Sequence, residues 1–460
     1  MPTRNRTARF GWSLALFLGV LLYASWVTAQ CGCVGCCSHG YCFGESTVSL
    51  GDGQASETDA EVPFAEFRVA GRHTFSSVDG FNSLRGDPIN LTWGIVDDGT
   101  QISANGNSQP SDLVAFLDGL YGSGGVAGVT NAPWFRLFEA SFDRWSELSG
   151  VSFSYEPNDF GAPIDATASP IGVTNFYADH RIGGRSIDGQ TGPNTLAFNY
   201  FPNHADMVID TDNSGFFNSR FADSLRLRNT IMHEIGHGLG FSHLESSDSG
   251  QLMEPFIQIA FDGPQIDDIL AAQRNYGDPL EKNGGNDQFG TATSAGSFAP
   301  GDAWAIGTDG DSTVVSPSQT DFVSIDGVTD TDFFSFSVSV PSKVDLVLTQ
   351  VGRAYDEGPQ GGNQSLLDTA VLNDLALDLL IFDGGNLTTL ASGTDQSVEP
   401  GEEILGFDLE PGTEYYARVR GAQDNVQLYE LGLGFSIIPE PSTALLGLAG
   451  LLGLPKRRAA

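Results

Sequence analysis

The chain has 460 residues, of which 58 are Asp or Glu and 22 Lys or Arg, for a formal net charge of -36. That length exceeds one ordinary hydrophobic core, so two or three folded units are expected. A surface this acidic repels phosphate backbones, so nucleic acid is not expected as a partner; it favours solubility and attracts divalent cations.

In chain order, Arg4, Arg6 and Arg9 precede an apolar run from Phe10 to Val27, and Val27-Thr28-Ala29 offers small residues for cleavage before Gln30. Residues 1–29 therefore read as a signal peptide, the other reading being an anchor barely long enough to span. All five cysteines follow at once, at Cys31, Cys33, Cys36, Cys37 and Cys42. The rest of the chain has no disulfide framework, and an odd count leaves one thiol unpaired or paired between molecules. A local disulfide knot is expected; His39 among the cysteines leaves a small metal knot as the alternative. Residues 30–86 thus comprise the cysteine cluster and a Gly-, Ser- and Asp-rich linker or pro-segment.

Residues 87–280 have the texture of a mixed domain. Ile89 to Val96 alternates and ends at Asp97-Asp98-Gly99, a strand and turn. Phe135, Leu137, Phe138, Phe142, Trp145 and Leu148 fall at helical spacing within Pro133–Leu148. Val151–Tyr155, Ile171–Tyr177, Thr195–Phe201 and Met207–Ile209 read as strands. Ser224–Gly238 and Gln265–Tyr276 read as helices, the second stopped by Gly277. Residues 281–308 read as a Gly-, Asn- and Ser-rich linker. Residues 309–436 carry short alternating strands near 322–325, 333–338, 344–348, 377–382, 404–407 and 415–419, the pattern of a β-sandwich.

The chemistry concentrates in His233-Glu234-Ile235-Gly236-His237-Gly238-Leu239-Gly240-Phe241-Ser242-His243. His233 and His237, four apart on a helix, project from one face and can share one zinc ion. Gly240 lets the chain turn off the helix, and that turn can bring His243 round as a third ligand. Three protein ligands leave a fourth position for water, as a catalytic zinc requires. Glu234 is placed to take a proton from that water as general base and to pass it to a leaving amine.

This motif, with Met253 downstream, resembles the metzincins, and its surroundings between Asp87 and Asp278 resemble the matrixins among them. Gln251-Leu252-Met253-Glu254-Pro255 is similar to their Met-turn, which places Met253 as a packing residue beneath the metal. The resemblance implies an α+β catalytic domain of metzincin type, with a twisted, mostly parallel sheet and long helices, followed by an all-β sandwich. It implies one catalytic zinc and a protein or peptide substrate. Phe198 and Val208 stand where vertebrate matrixins place histidines for a second zinc, so His180 and His204 read as surface residues. Asp188, Asp210 and Asp212 are oxygen donors for calcium or plain turn aspartates. No Pro-Arg-Cys-Gly cysteine-switch motif occurs in the sequence.

Asp330-Thr331-Asp332-Phe333-Phe334 and the strands around it resemble the pre-peptidase C-terminal domain of secreted bacterial peptidases, which implies a role in attachment or substrate binding. Residues 437–460, with Pro439-Glu440-Pro441, an apolar stretch to Leu454 and Lys456-Arg457-Arg458, resemble the PEP-CTERM sorting signal of Gram-negative bacteria. That implies handling by exosortase-type machinery, with envelope or exopolysaccharide attachment. The expectation is an exported zinc endopeptidase of the cell envelope or its exterior. The competing class is an envelope or matrix adhesion protein with a relict peptidase domain, which would have been free to lose Glu234.

Overall fold

Ile89–Ile95 forms the strand that its alternation predicts (β1), and it lies inside the sheet rather than at its edge. Val151–Tyr155 (β2) pairs parallel to it on one side and His180–Arg185 (β3) parallel on the other. Beyond β3 come Met207–Asp210 (β5), also parallel, and then Thr195–Asn199 (β4), antiparallel to β5. The short strand Cys42–Glu45 runs parallel along the outer side of β4. These relations come from a computed structural model that describes residues 42–45, 66–81, 84–104, 106–167, 169–189, 195–395 and 401–439. The expected signal peptide, the cysteines from Cys31 to Cys37 and the tail from Glu440 onward lie outside the described residues.

Four helices matter for the site: Leu113–Tyr121 (α1), Phe135–Leu148 (α2), Leu225–Leu239 (α3) and Ile266–Tyr276 (α4). The apolar face of α2 packs on the sheet, where Phe142 stacks on Trp93 with ring centroids 4.7 Å apart. Its neighbouring face meets α3, where the Trp145 indole N–H donates to the carbonyl of Met232 at 2.9 Å. Each large buried side chain in this layer contributes roughly 1.5–3 kcal/mol of burial free energy. Helix α3 is enclosed on nearly every side, every residue from Asn229 to Leu239 being buried.

Two expectations fail here. Ile171–Tyr177 is a tight turn closed by a single bridge between Val173 and Tyr177, not a strand. The strand lies just after it, in the polar, glycine-bearing His180–Arg185, which no alternation marks. It is buried on both faces, and its glycines admit neighbours: a Cβ on Gly183 would lie 2.8 Å from the Ile102 side chain, and one on Gly184 3.0 Å from Leu113. His180, expected at the surface, is fully buried.

The strand-rich second half forms two sheets around a shared apolar core. One contains Thr293–Phe298, Thr331–Val338, Tyr415–Gly421, Leu375–Asp383 and Asn386–Ser392, in that spatial order. The other contains Ala303–Ile306, Gln427–Ile437, Ser342–Gln350, Gly401–Leu409 and Thr394–Asp395, with Val323–Ile325 also against Gln427–Ile437. The first two strands of these sheets come from 281–308, so that segment is part of the β region and not a free linker.

The two halves share a core. Val315, Phe322, Val351, Leu372, Val426 and Leu428 sit in the same buried cluster as the side chains of α2 and α4. Polar ties seal the joint: the Gln265 amide exchanges hydrogen bonds with the Val315 backbone, and Arg144 donates to the carbonyls of Ser316 and Gln319. No described helix is long and apolar enough to cross a membrane.

Candidate metal centre

Helix α3 presents His233 and His237 one turn apart, and Gly240 then ends it at φ +106°. The positive φ favours glycine, and a Cβ at this position would overlap the carbonyl of Gly71. The reversal brings His243 back under the helix. The three Nε2 atoms converge, 3.1 Å apart for His233 with each partner and 3.2 Å between His237 and His243. All three rings are buried.

The far side of each ring decides what these nitrogens are. His233 Nδ1 lies 2.7 Å from the Leu252 carbonyl, His237 Nδ1 2.6 Å from the Phe241 carbonyl, and His243 Nδ1 2.9 Å from Gln360 Oε1. All three partners are acceptors, so each Nδ1 carries the proton and each Nε2 presents a lone pair. Three lone pairs facing one another in a buried space repel unless a cation lies among them. Ligand nitrogens at about 2.0–2.1 Å from a tetrahedral zinc would be about 3.3 Å apart, close to the spacing here. The donor set therefore fits zinc. Burial also pulls the pKa of His237 down to about 3 and that of His233 well below its ordinary range.

Met253 packs beneath the helix, its sulfur so close to Gly236 that no larger residue fits between the two histidines. The turn that carries it is fixed by Asp268, in the first turn of α4, whose carboxylate accepts from the amides of Leu252, Met253 and Gln265. Burial pushes Asp268 up to about 6. Asp268 thus fixes the segment whose Leu252 carbonyl orients His233. Gln265-x-x-Asp268 marks a helix start, but nothing local in the sequence marks what Asp268 or Gln360 reaches.

Glu234 is fully buried, and neither carboxylate oxygen has a hydrogen-bond partner among the described residues. Burial raises its pKa well above the usual carboxylate range. Such a group is disposed to take up a proton.

Asp188, Asp210 and Asp212 lie at the ends of β3 and β5, but their carboxylate oxygens do not form a group within 4.8 Å of one another. Asp210 accepts from the amides of Ile187 and Asp212 and from Asn213 Nδ2, while Asp188 accepts from the Thr195 amide. Burial, with Asp188 and Asp212 nearby, pushes Asp210 up to about 6. Phe198 and Val208 are packed in a small apolar cluster with Ile102 and Ile164. His180 lies against His73, with the ring planes tilted by 36° and the centroids 5.2 Å apart, and His204 is half-buried. Sequence reading missed another convergence, that of Glu281, Asp330 and Asp332, whose ligand oxygens lie within 4.8 Å of one another. Burial and neighbouring carboxylates push Glu281 up to about 10 and the two aspartates well above their usual range.

Residues 129–277 match the matrixin family. Matrix metalloproteinase-16 of Rattus norvegicus is 30% identical over 152 residues, which cover 31% of this chain and 24% of that protein. Matrix metalloproteinase-17 of Homo sapiens is 30% identical over 141 residues, 30% of this chain and 20% of that one. Metalloendoproteinase 2-MMP of Arabidopsis thaliana is 28% identical over 191 residues, 39% of this chain and 47% of that one. The chain thus spans less than half the length of these relatives. Among solved structures, the pre-peptidase C-terminal domain of a collagenase from Bacillus anthracis is 18% identical with a TM-score of 0.18, covering 31% of this chain and 93% of that one. The matrixin match supports a metalloprotease domain, and the family implies zinc as its metal.

Proposed function

We propose that the chain is an exported zinc-dependent endopeptidase in which His233, His237 and His243 hold the metal and Glu234 is the general base. The observation that carries this reading is the set of three buried Nε2 lone pairs facing one another, each fixed by an acceptor on the ring's other nitrogen. Zinc, when bound, lowers the pKa of a water and polarises a substrate carbonyl. The protein's own part is to hold the three rings in one tautomer, to exclude solvent from beneath them and to move a proton. With the metal bound, Glu234 would accept a proton as the water attacks the peptide carbon and pass it to the leaving amine. Met253 supports the rings from below as a packing residue.

The remaining parts of the reading rest on sequence. Residues 1–29 direct export, and 437–460 direct envelope sorting by exosortase-type machinery. The β domain serves attachment or substrate binding. Calcium at Asp188, Asp210 and Asp212 rests on the sequence resemblance alone, since among the described residues their carboxylates are not one of the groups whose ligand atoms lie within 4.8 Å of one another.

Zinc content and hydrolysis of casein or gelatin, for wild type and Glu234→Ala, test the proposal. Wild type is expected to hold one zinc and to cleave, while Glu234→Ala keeps the zinc and loses cleavage. A wild type without zinc, or a Glu234→Ala variant as fast as wild type, overturns it. A wild type that holds zinc but cleaves nothing supports the adhesion reading instead. Masses of the mature termini test the leader and the tail.

A further inference from the structure

His243 differs from the other two histidines in where its Nδ1 acceptor comes from. His233 and His237 use backbone carbonyls of their own half of the protein, at Leu252 and Phe241. His243 uses Gln360, 117 residues away, on a hairpin of the C-terminal half. The hairpin consists of Ala354–Pro359 and Ser365–Asp368. Its first strand adds antiparallel to Leu244–Ser246, pairing Leu244 with Pro359, Glu245 with Gly358 and Ser246 with Glu357. That register continues one step further to set Gln360 opposite His243.

Two features hold the hairpin there. The Gly362 amide donates to the Pro359 carbonyl at 2.8 Å and Gly361 has φ +68°, so Gln360 lies in a tight turn of defined shape. The buried Tyr355 hydroxyl donates to Asp267 Oδ1 at 2.7 Å, next to the Asp268 that fixes the Met253 turn. The same hairpin therefore touches the third histidine and the base of the turn beneath the site.

We infer that the C-terminal β domain completes the metal centre, with Gln360 as the positioning residue that holds His243 in its metal-binding tautomer and orientation. The inference rests on the zinc reading of the three histidines. Loss of such an outer hydrogen bond typically weakens metal affinity by about 10- to 100-fold.

The test uses the full chain and two readouts besides turnover: zinc affinity by competition with a chromophoric chelator, and the visible absorption of the cobalt(II)-substituted protein. Gln360→Ala is expected to bind zinc about tenfold more weakly, with altered cobalt bands. Gln360 is exposed at a turn, so the melting temperature of the metal-free protein should not move. Gln360→Glu keeps an acceptor in place and is expected to restore wild-type affinity or better. Tyr355→Phe, which loosens the hairpin, should show a smaller loss in the same direction. A Gln360→Ala protein within twofold of wild-type zinc affinity and with an unchanged cobalt spectrum overturns the inference. His243→Ala, run in parallel, separates the failures. If it too binds zinc like wild type, the ligand assignment itself falls; if it loses zinc while Gln360→Ala does not, only the role of Gln360 falls.

Discussion

Among the described residues, two buried groups of three ligand-type side chains come together, and they solve opposite problems. Burial holds His233 and His237 neutral, and each of the three histidines is oriented by a hydrogen bond on its outer nitrogen. Glu281, Asp330 and Asp332 are acids, and Glu281 Oε1, Asp330 Oδ1 and Asp332 Oδ1 have no hydrogen-bond partner among the described residues. Neutral ligands can be buried at modest cost and kept in place by ordinary hydrogen bonds. Carboxylates crowded together must take up protons or be neutralised, because burial and like charge both disfavour ionisation. The first group is preorganised for a metal, whereas the second links folding to pH.

The largest expected effect tests the catalytic side of that contrast. Glu234→Gln should lower kcat by about 10²- to 10⁴-fold with zinc content unchanged, read by peptide hydrolysis and metal analysis. An equal loss of zinc would mean that Glu234 shapes the site rather than moving a proton. Next comes the turn that gathers the histidines. Gly240→Ala places a Cβ at φ +106° against Gly71 and should cost about 3 kcal/mol in denaturant unfolding, with weaker zinc binding. A variant as stable as wild type would show that the chain can turn here without glycine.

The acidic group is tested by pH. Glu281 is raised from 4.5 to about 10 in the folded state, so the folded protein holds a proton that the unfolded chain releases. Its contribution is present below the unfolded value and declines as pH rises toward 10. Asp278 and Asp326, raised from 3.8 to about 7, act the same way lower in the range. The buried histidines oppose this trend until the unfolded imidazoles, half-protonated near pH 6.5, finish titrating about one pH unit higher. Between about pH 7.5 and 9, in metal-free buffer, wild-type stability should therefore fall. Glu281→Gln should fall less steeply, by up to about 1.4 kcal/mol per pH unit. Parallel curves for the two proteins would remove Glu281 from this linkage. The smallest effect concerns the scaffold: Trp145→Phe removes the hydrogen bond to the Met232 carbonyl and should cost about 1 kcal/mol by thermal unfolding.

Legibility in the sequence followed the range of the interactions. Helix α3 was expected within a residue of where it lies, and the gathering of His233, His237 and His243 followed from helix geometry and one glycine, all within eleven consecutive residues. Helix α2 was legible because burying one face writes a 3.6-residue period into the chain, whereas α4, buried over nearly its whole length, was marked by the glycine that stops it. Strand β3 was not, since a central parallel strand buried on both faces needs no alternation, and its glycines answer to neighbours distant in sequence. The segment 281–308 read as linker because small residues also suit edge strands that lean on a neighbouring sheet.

The sequence by itself determined the chemistry of the site: which residues are ligand-type, that they fall on one helical face, and where the chain must turn back. Those are local consequences of backbone geometry. Tertiary structure alone decided which tautomer each ring takes, that Asp268 fixes the turn under Met253, that Glu281 meets Asp330 and Asp332, and that Gln360 reaches His243. Each of these depends on strand register and on the packing of two halves against a shared core. No local period encodes such pairings between residues far apart in the chain.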